Sequence, residues 1–131
     1  MIAEDYVSFE TAKLLREKGF DENCTQVYNL KNQHLLMADF YSIGKFVYNS
    51  YLNKERPELI TAPTLQMAMK WLREVYDCPV EILWHWDANS QYSEWYFVHH
   101  MELKPLPQIQ YYDTYEEACE AAIKYCLENL I

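Results

Sequence analysis

A chain of 131 residues, half of them apolar and 16% aromatic with only two glycines, can bury a real core; that excludes a disordered or low-complexity polymer and predicts a single compact domain. Its 20 carboxylates against 11 Lys and Arg give a formal charge of −9, which argues against attraction to a phosphate backbone, so no nucleic-acid partner is expected. The acids gather only mildly, at Glu116, Glu117, Glu120 and Glu128, without the long run of an acidic tail, so a DNA-mimic reading gains little support.

The chain opens Met-Ile-Ala-Glu-Asp, without a charged leader before an apolar core, and no apolar run approaches ~20 residues; a soluble cytoplasmic protein with no membrane partner is expected. Helix one is predicted over Phe9 to Lys18. Ser8 is a good N-cap, Val7 and Ala12 form a modest staple, and Gly19 supplies the left-handed residue that ends a helix, bringing Phe20 back onto Leu15. Residues 24 to 38 read as a hairpin, with Val27, Tyr28 and Leu30 before Lys31-Asn32-Gln33 and Leu35, Leu36 and Met37 after it. From Asp39 to Ile60 the apolar residues fit neither a period of two nor one of 3.6, so a strand or short helix followed by a loop at Asn53 to Pro57 is expected.

The second helix carries the clearest pattern. Thr61 can cap it, Pro63 is tolerated in a first turn, Leu65, Ala68, Met69, Leu72, Val75 and Tyr76 make one stripe with Met67 and Trp71 on its flank, and it ends by Pro79. Two alternating runs follow, Val80 to Asp87 and Glu94 to Leu103, joined by Ala88-Asn89-Ser90-Gln91-Tyr92 as a hairpin with a longer loop. Val80, Ile82, Trp84 and Trp86 share one face of the first strand, and Trp95, Phe97, His99 and Met101 share one face of the second. Pairing them places Trp84 opposite or diagonal to Trp95 and predicts a tryptophan-bearing face sealed by helices. Pro105 and Pro107 limit Gln108 to Tyr112 to a short edge strand. Thr114-Tyr115-Glu116-Glu117 has the spacing of a capping box, and Cys119, Ala122, Ile123, Cys126 and Leu130 form the inward stripe of the last helix, with Glu120 and Lys124 paired outside. Lys13-Leu14-Leu15-Arg16-Glu17 echoes Lys70-Trp71-Leu72-Arg73-Glu74, a hint of two helix-hairpin copies within what is common helix composition.

The predicted fold class is α+β: an antiparallel sheet built from two β-hairpins, packed against two to three helices in one domain.

Three segments carry a resemblance: Ser8 to Leu15, Ala62 to Glu74 and Tyr112 to Ala122. There the chain resembles a group of small uncharacterised proteins from gut anaerobic bacteria and their phages or prophages. The resemblance spans the three helices and implies a setting, a cytoplasmic product of a mobile or phage-derived gene of the kind that acts on a host or phage partner. It implies no activity, cofactor or catalytic residue.

Candidate chemistry concentrates on the second hairpin. His85, His99 and His100 lie on it beside Asp87, Glu94 and Glu102, but alternation puts His99 and His100 on opposite faces and spreads His85, Asp87, Glu94 and His100 along one; a polar sheet face is the preferred reading over a metal site. Cys24, Cys78, Cys119 and Cys126 form no Cys-x-x-Cys pair and read as reduced, buried thiols. Cys78, just past a helix C-terminus, and Ser90 and Ser93 lack the setting of a nucleophile, and two glycines leave no phosphate-cradling loop; no cofactor is expected. Tyr92, Trp95, Tyr96, Trp84 and Trp86 are the candidate contact residues for a protein partner or for self-association, since rigid rings give large contact area at low entropic cost. The leading expectation is a non-enzymatic binding or accessory protein; the rival is a small hydrolytic or metal-dependent enzyme using His85, Asp87 and Glu94.

Overall fold

A computed structural model describes residues 3–89, 92–99 and 110–131, and these form an α+β protein of four α-helices and two antiparallel sheets. Contacts divide the chain into two units, Met1–Thr64 and Leu65–Ile131. The two predicted hairpins lie in separate sheets rather than one, because each closes on its own neighbours: the first gains a third strand, the second a single bridge.

In the first unit, α1 spans Phe9–Glu17. The Ser8 hydroxyl accepts from the Thr11 amide at 3.2 Å, satisfying one of the orphan donors of the first turn. At the other end Gly19 sits at φ +91°, its amide donates to Arg16 and the Phe20 amide donates to Leu15 at 2.9 Å. This is the left-handed ending anticipated from Gly19, and Phe20 and Leu15 are both buried.

Strand β1 (Gln26–Asn29) pairs with β2 (Leu35–Met37) as the expected hairpin. The stretch Asp39 to Ile60, which fits neither period, runs through a 3-10 turn over Ala38–Tyr41, helix α2 (Asn49–Glu55) and strand β3 (Leu59–Thr61). The loop expected at Asn53 to Pro57 is thus helical through Glu55. Thr61 does not cap a helix; it ends a strand that pairs with the free side of β1, giving the order β2-β1-β3. The reason lies in Asn49, whose amide nitrogen donates to the Phe20 carbonyl at 2.8 Å and whose carbonyl oxygen accepts from the Thr61 amide at 3.0 Å. One buried side chain satisfies two backbone groups and helps hold Thr61 in the sheet. Val27, Ala38, Val47, Leu52 and Leu59 make the local core, each Val or Leu contributing about 1.5–3 kcal/mol on full burial.

The second unit contains α3 (Leu65–Val75), β4 (Val80–Asp87), β5 (Tyr92–His99) and α4 (Tyr115–Asn129). Leu65, Ala68, Met69, Trp71 and Leu72 bury the inner side of α3, whereas Val75, placed in the stripe by spacing, is exposed in the last turn. The echoed pentapeptides fall in α1 and α3 with the same phase: Thr11, Ala12 and Leu15 are buried in one, Ala68, Met69 and Leu72 in the other. In α4 the Thr114 hydroxyl accepts from the Glu117 amide at 3.1 Å, and Cys119, Ala122, Ile123, Cys126 and Leu130 are buried as anticipated, joined by Ala118 and Leu127. The helix packs on α3 and on both strands of the hairpin. Small side chains at Ala118, Cys119 and Ala122 let it lie close.

Strand β5 begins at Tyr92, two residues before Glu94, because Asp87 and Tyr92 are already cross-strand partners. The Asp87 carboxylate helps shape the connection by accepting from the Asn89 amide at 2.9 Å, the short-range bond typical of Asp in turns. The expected strand residues His100, Met101, Glu102 and Leu103, the prolines Pro105 and Pro107, and Ser90 in the loop lie outside the described residues.

Candidate functional site

Register decides which rings meet on the second hairpin. Trp84 pairs with Trp95, as expected, and Ile82 with Phe97, Val80 with His99, and Trp86 with Ser93; these residues share one face. Helix α4 covers part of it. Tyr115, in the first turn, meets Trp95 edge-on at 5.4 Å between centroids, and Tyr125, almost three turns later, packs on Phe97 at 5.9 Å and His99 at 5.7 Å. The helix therefore begins level with Trp95 and runs toward His99. It leaves the loop end of that face open.

The consequence is a correction to the sealed tryptophan face. Phe97 is buried and Trp95 half-buried, but Trp84 is 57% and Trp86 48% exposed. Their indoles stack on each other, with centroids 6.3 Å apart and planes 27° from parallel. Strand periodicity gave the shared face correctly; it could not say where along that face the helix starts.

A third segment touches the other side of β5. Trp95 and Tyr112 exchange backbone bonds, the Trp95 amide donating at 2.8 Å and the Tyr112 amide at 2.7 Å. Neighbouring side chains there point to opposite faces. Tyr112 stacks over Phe97 at 6.5 Å, while Tyr111 lies against His85 at 5.3 Å and Tyr96 at 5.6 Å on the reverse face. Burial raises the Tyr112 and Tyr115 phenols above their usual range, so both remain neutral donors at physiological pH; Gln66 donates to the Tyr115 hydroxyl at 3.1 Å.

Of the five candidate contact residues, then, Trp84 and Trp86 form an open ring pair, Trp95 is held under Tyr115, and Tyr96 sits on the opposite face beneath Tyr111. Tyr92 is placed only by its backbone, opposite Asp87. The Tyr111-Tyr112 doublet reads from the sequence as part of the hairpin's aromatic set, but which face Tyr111 takes is shown only by its contacts with His85 and Tyr96.

The reverse face carries His85 opposite Glu94, with Asp87 two residues on. Among the described residues no three His, Cys, Asp or Glu side chains are arranged to hold a metal ion. The His85 ring instead lies against Tyr111, and Leu83, Tyr96 and Val98 share this side with the polar groups.

The four cysteines are buried and free. One relation among them escaped the sequence: the Cys78 and Cys126 sulfurs lie 3.4 Å apart, because α3 ends just before Cys78 where it meets the far half of α4. Burial raises both thiols, each further raised by its neighbouring charge or thiol, and pushes Cys24 up to about 12. Such thiols are protonated at neutral pH and poor nucleophiles.

Exposed apolar residues also occur between Leu35 and Tyr48, with Phe40 and Phe46 the most open. There each ring is engaged by a chain neighbour, Phe40 edge-on with Tyr41 and Phe46 beneath the Lys45 ammonium. Tyr48 is tilted against Tyr51 at 6.0 Å, so the ring contacts here are edge-on or tilted rather than stacked.

Compared with protein families, curated proteins and solved structures, the chain matches no family model, no curated protein and no solved structure. No helix of the described residues is long and apolar enough to cross a membrane.

Proposed function

We propose that the chain is a non-enzymatic accessory protein that binds another protein, or itself, through the loop end of the second hairpin. The observation that carries this reading is the stacked, exposed pair Trp84 and Trp86 on a regular strand. Two large rings pre-stacked in water lose little conformational freedom on being covered, and rings of this kind dominate the energy of protein contacts. A cytoplasmic setting, in the product of a mobile or phage-derived gene, fits the acidic composition and the resemblance of the helical segments, and the net charge of −9 favours a partner with basic groups around its apolar centre.

The test is affinity capture from the native cell with the wild type and a Trp84→Ala, Trp86→Ala double variant. Loss of one and the same captured protein, with the circular dichroism of the variant unchanged, supports the hairpin as the contact surface. Equal capture by both proteins moves the contact elsewhere.

A further inference from the structure

We propose that the outer edge of β4 pairs with the β4 of a second copy, joining two hairpins into one four-stranded antiparallel sheet. This deepens the reading of the hairpin as a contact surface by naming its partner. In an antiparallel sheet a residue points both its N–H and its C=O to the same side, and successive residues alternate. Trp95 uses both groups on Tyr112, so they point away from β4, and Trp84, its direct partner, turns its own N–H and C=O away from β5. By alternation Val80, Ile82, Trp84 and Trp86 all present backbone donors and acceptors at the outer edge of β4. Among the described residues no strand receives them.

That edge lacks several of the usual protections, with Glu81 and Asp87 its only carboxylates. The edge strands of the first sheet are three residues long, whereas β4 has eight and contains no Pro, Gly or Lys. A long edge without Pro, Gly or Lys is a template for another strand.

The sequence of β4 selects one register. A two-fold axis perpendicular to the sheet keeps the tryptophan faces of both copies on one side only if the axis passes through a residue position. Centred on Trp84, the pairing sets Glu81 against Asp87 of the second copy, like charges. Centred on Leu83, it sets Leu83 against Leu83, Glu81 against His85, Ile82 against Trp84 and Val80 against Trp86. Each exposed indole then lies beside an aliphatic side chain, opposite polarity meets at Glu81 and His85, and all four outward-pointing residues exchange bonds with one another. Centres closer to either end of the strand pair fewer of its eight residues.

The test uses the full chain and measures mass by sedimentation equilibrium across a concentration series. The wild type is expected at twice its 15.8 kDa. Trp84→Pro is expected to give a monomer with an unchanged circular dichroism spectrum, because a proline whose missing N–H faces outward is tolerated on an edge strand. His85→Glu places two carboxylates opposite each other at both symmetric positions and weakens dimerisation by roughly tenfold; adding Glu81→Lys restores it. A dimer that is indifferent to Trp84→Pro and His85→Glu overturns the proposal. So does a monomeric wild type; if that monomer still captures another protein through Trp84 and Trp86, the contact-surface reading stands and the edge belongs to a foreign strand.

Discussion

The three-stranded sheet of the first unit and the hairpin of the second each follow a helix that stops at a positive-φ residue, Gly19 in one and Asp77 in the other, yet they use their strands in opposite ways. Strand β1 is only four residues long, but it is flanked on both sides, and its central Val27 and Tyr28 are buried. The Tyr28 hydroxyl even donates to the Val7 carbonyl at 2.6 Å. Strands β4 and β5 are twice that length, and the loop-end rings of β4, Trp84 and Trp86, face water. Short, doubly flanked strands commit their hydrogen bonds and side chains to the fold. Long strands covered on part of one face keep a reserve for contact.

The strongest way to break this contrast is to remove apolar volume from each sheet. Leu59→Ala, in β3, is expected to lower the unfolding free energy by about 2–5 kcal/mol, while Trp84→Ala changes that of the monomer by no more than about 0.5 kcal/mol; urea titrations of both variants decide it. Comparable losses would mean that Trp84 is a structural residue after all. Of similar size is Asn49→Ala, which strands the Phe20 carbonyl and the Thr61 amide at a cost of about 1–3 kcal/mol for each group left unbonded. Hydrogen exchange at the Thr61 amide should quicken in that variant and nowhere in the second hairpin.

Alkaline titration sharpens the comparison through the thiols. Burial holds Cys24 protonated up to about 12, against 9.0 for an ordinary thiol, and raises Cys78 and Cys126 as well. The unfolded chain ionises first, so stability is full below about pH 9 and declines as pH climbs toward 12, by about 1.4 kcal/mol per pH unit for Cys24, with Cys78 and Cys126 acting in the same direction. Urea midpoints measured at about pH 8 and about pH 10.5 test this, and Cys24→Ala should flatten the decline in part. The smallest expected effects are at the helix caps: Ser8→Ala and Thr114→Ala each reduce stability by about 1 kcal/mol, read as a shift in thermal midpoint.

Much of this was legible in the sequence wherever a local rule governs the outcome. Ser8, Gly19 and Thr114 act within one turn of themselves, so α1 and the start of α4 could be placed almost to the residue. Alternation placed Trp84 opposite or diagonal to Trp95, and the direct pairing is the one found. Residues 38 to 61 did not yield, because Asn49 acts on Phe20 and Thr61 across 29 and 12 positions, and no short window contains such a bond. The same holds for the Cys78–Cys126 contact and for the exposure of Trp84 and Trp86. Periodicity says which side chains share a face, but where a covering helix begins is settled by packing along the strand.

The uneven burial of the four indoles also gives the protein its own optical reporter. Trp71 is shielded inside α3, whereas Trp84 and Trp86 meet solvent, so a water-soluble quencher such as acrylamide extinguishes the emission of the hairpin pair first and leaves a blue-shifted remainder. Any molecule that settles on that pair shields it from the quencher, and occupancy can be followed by light alone, without a label.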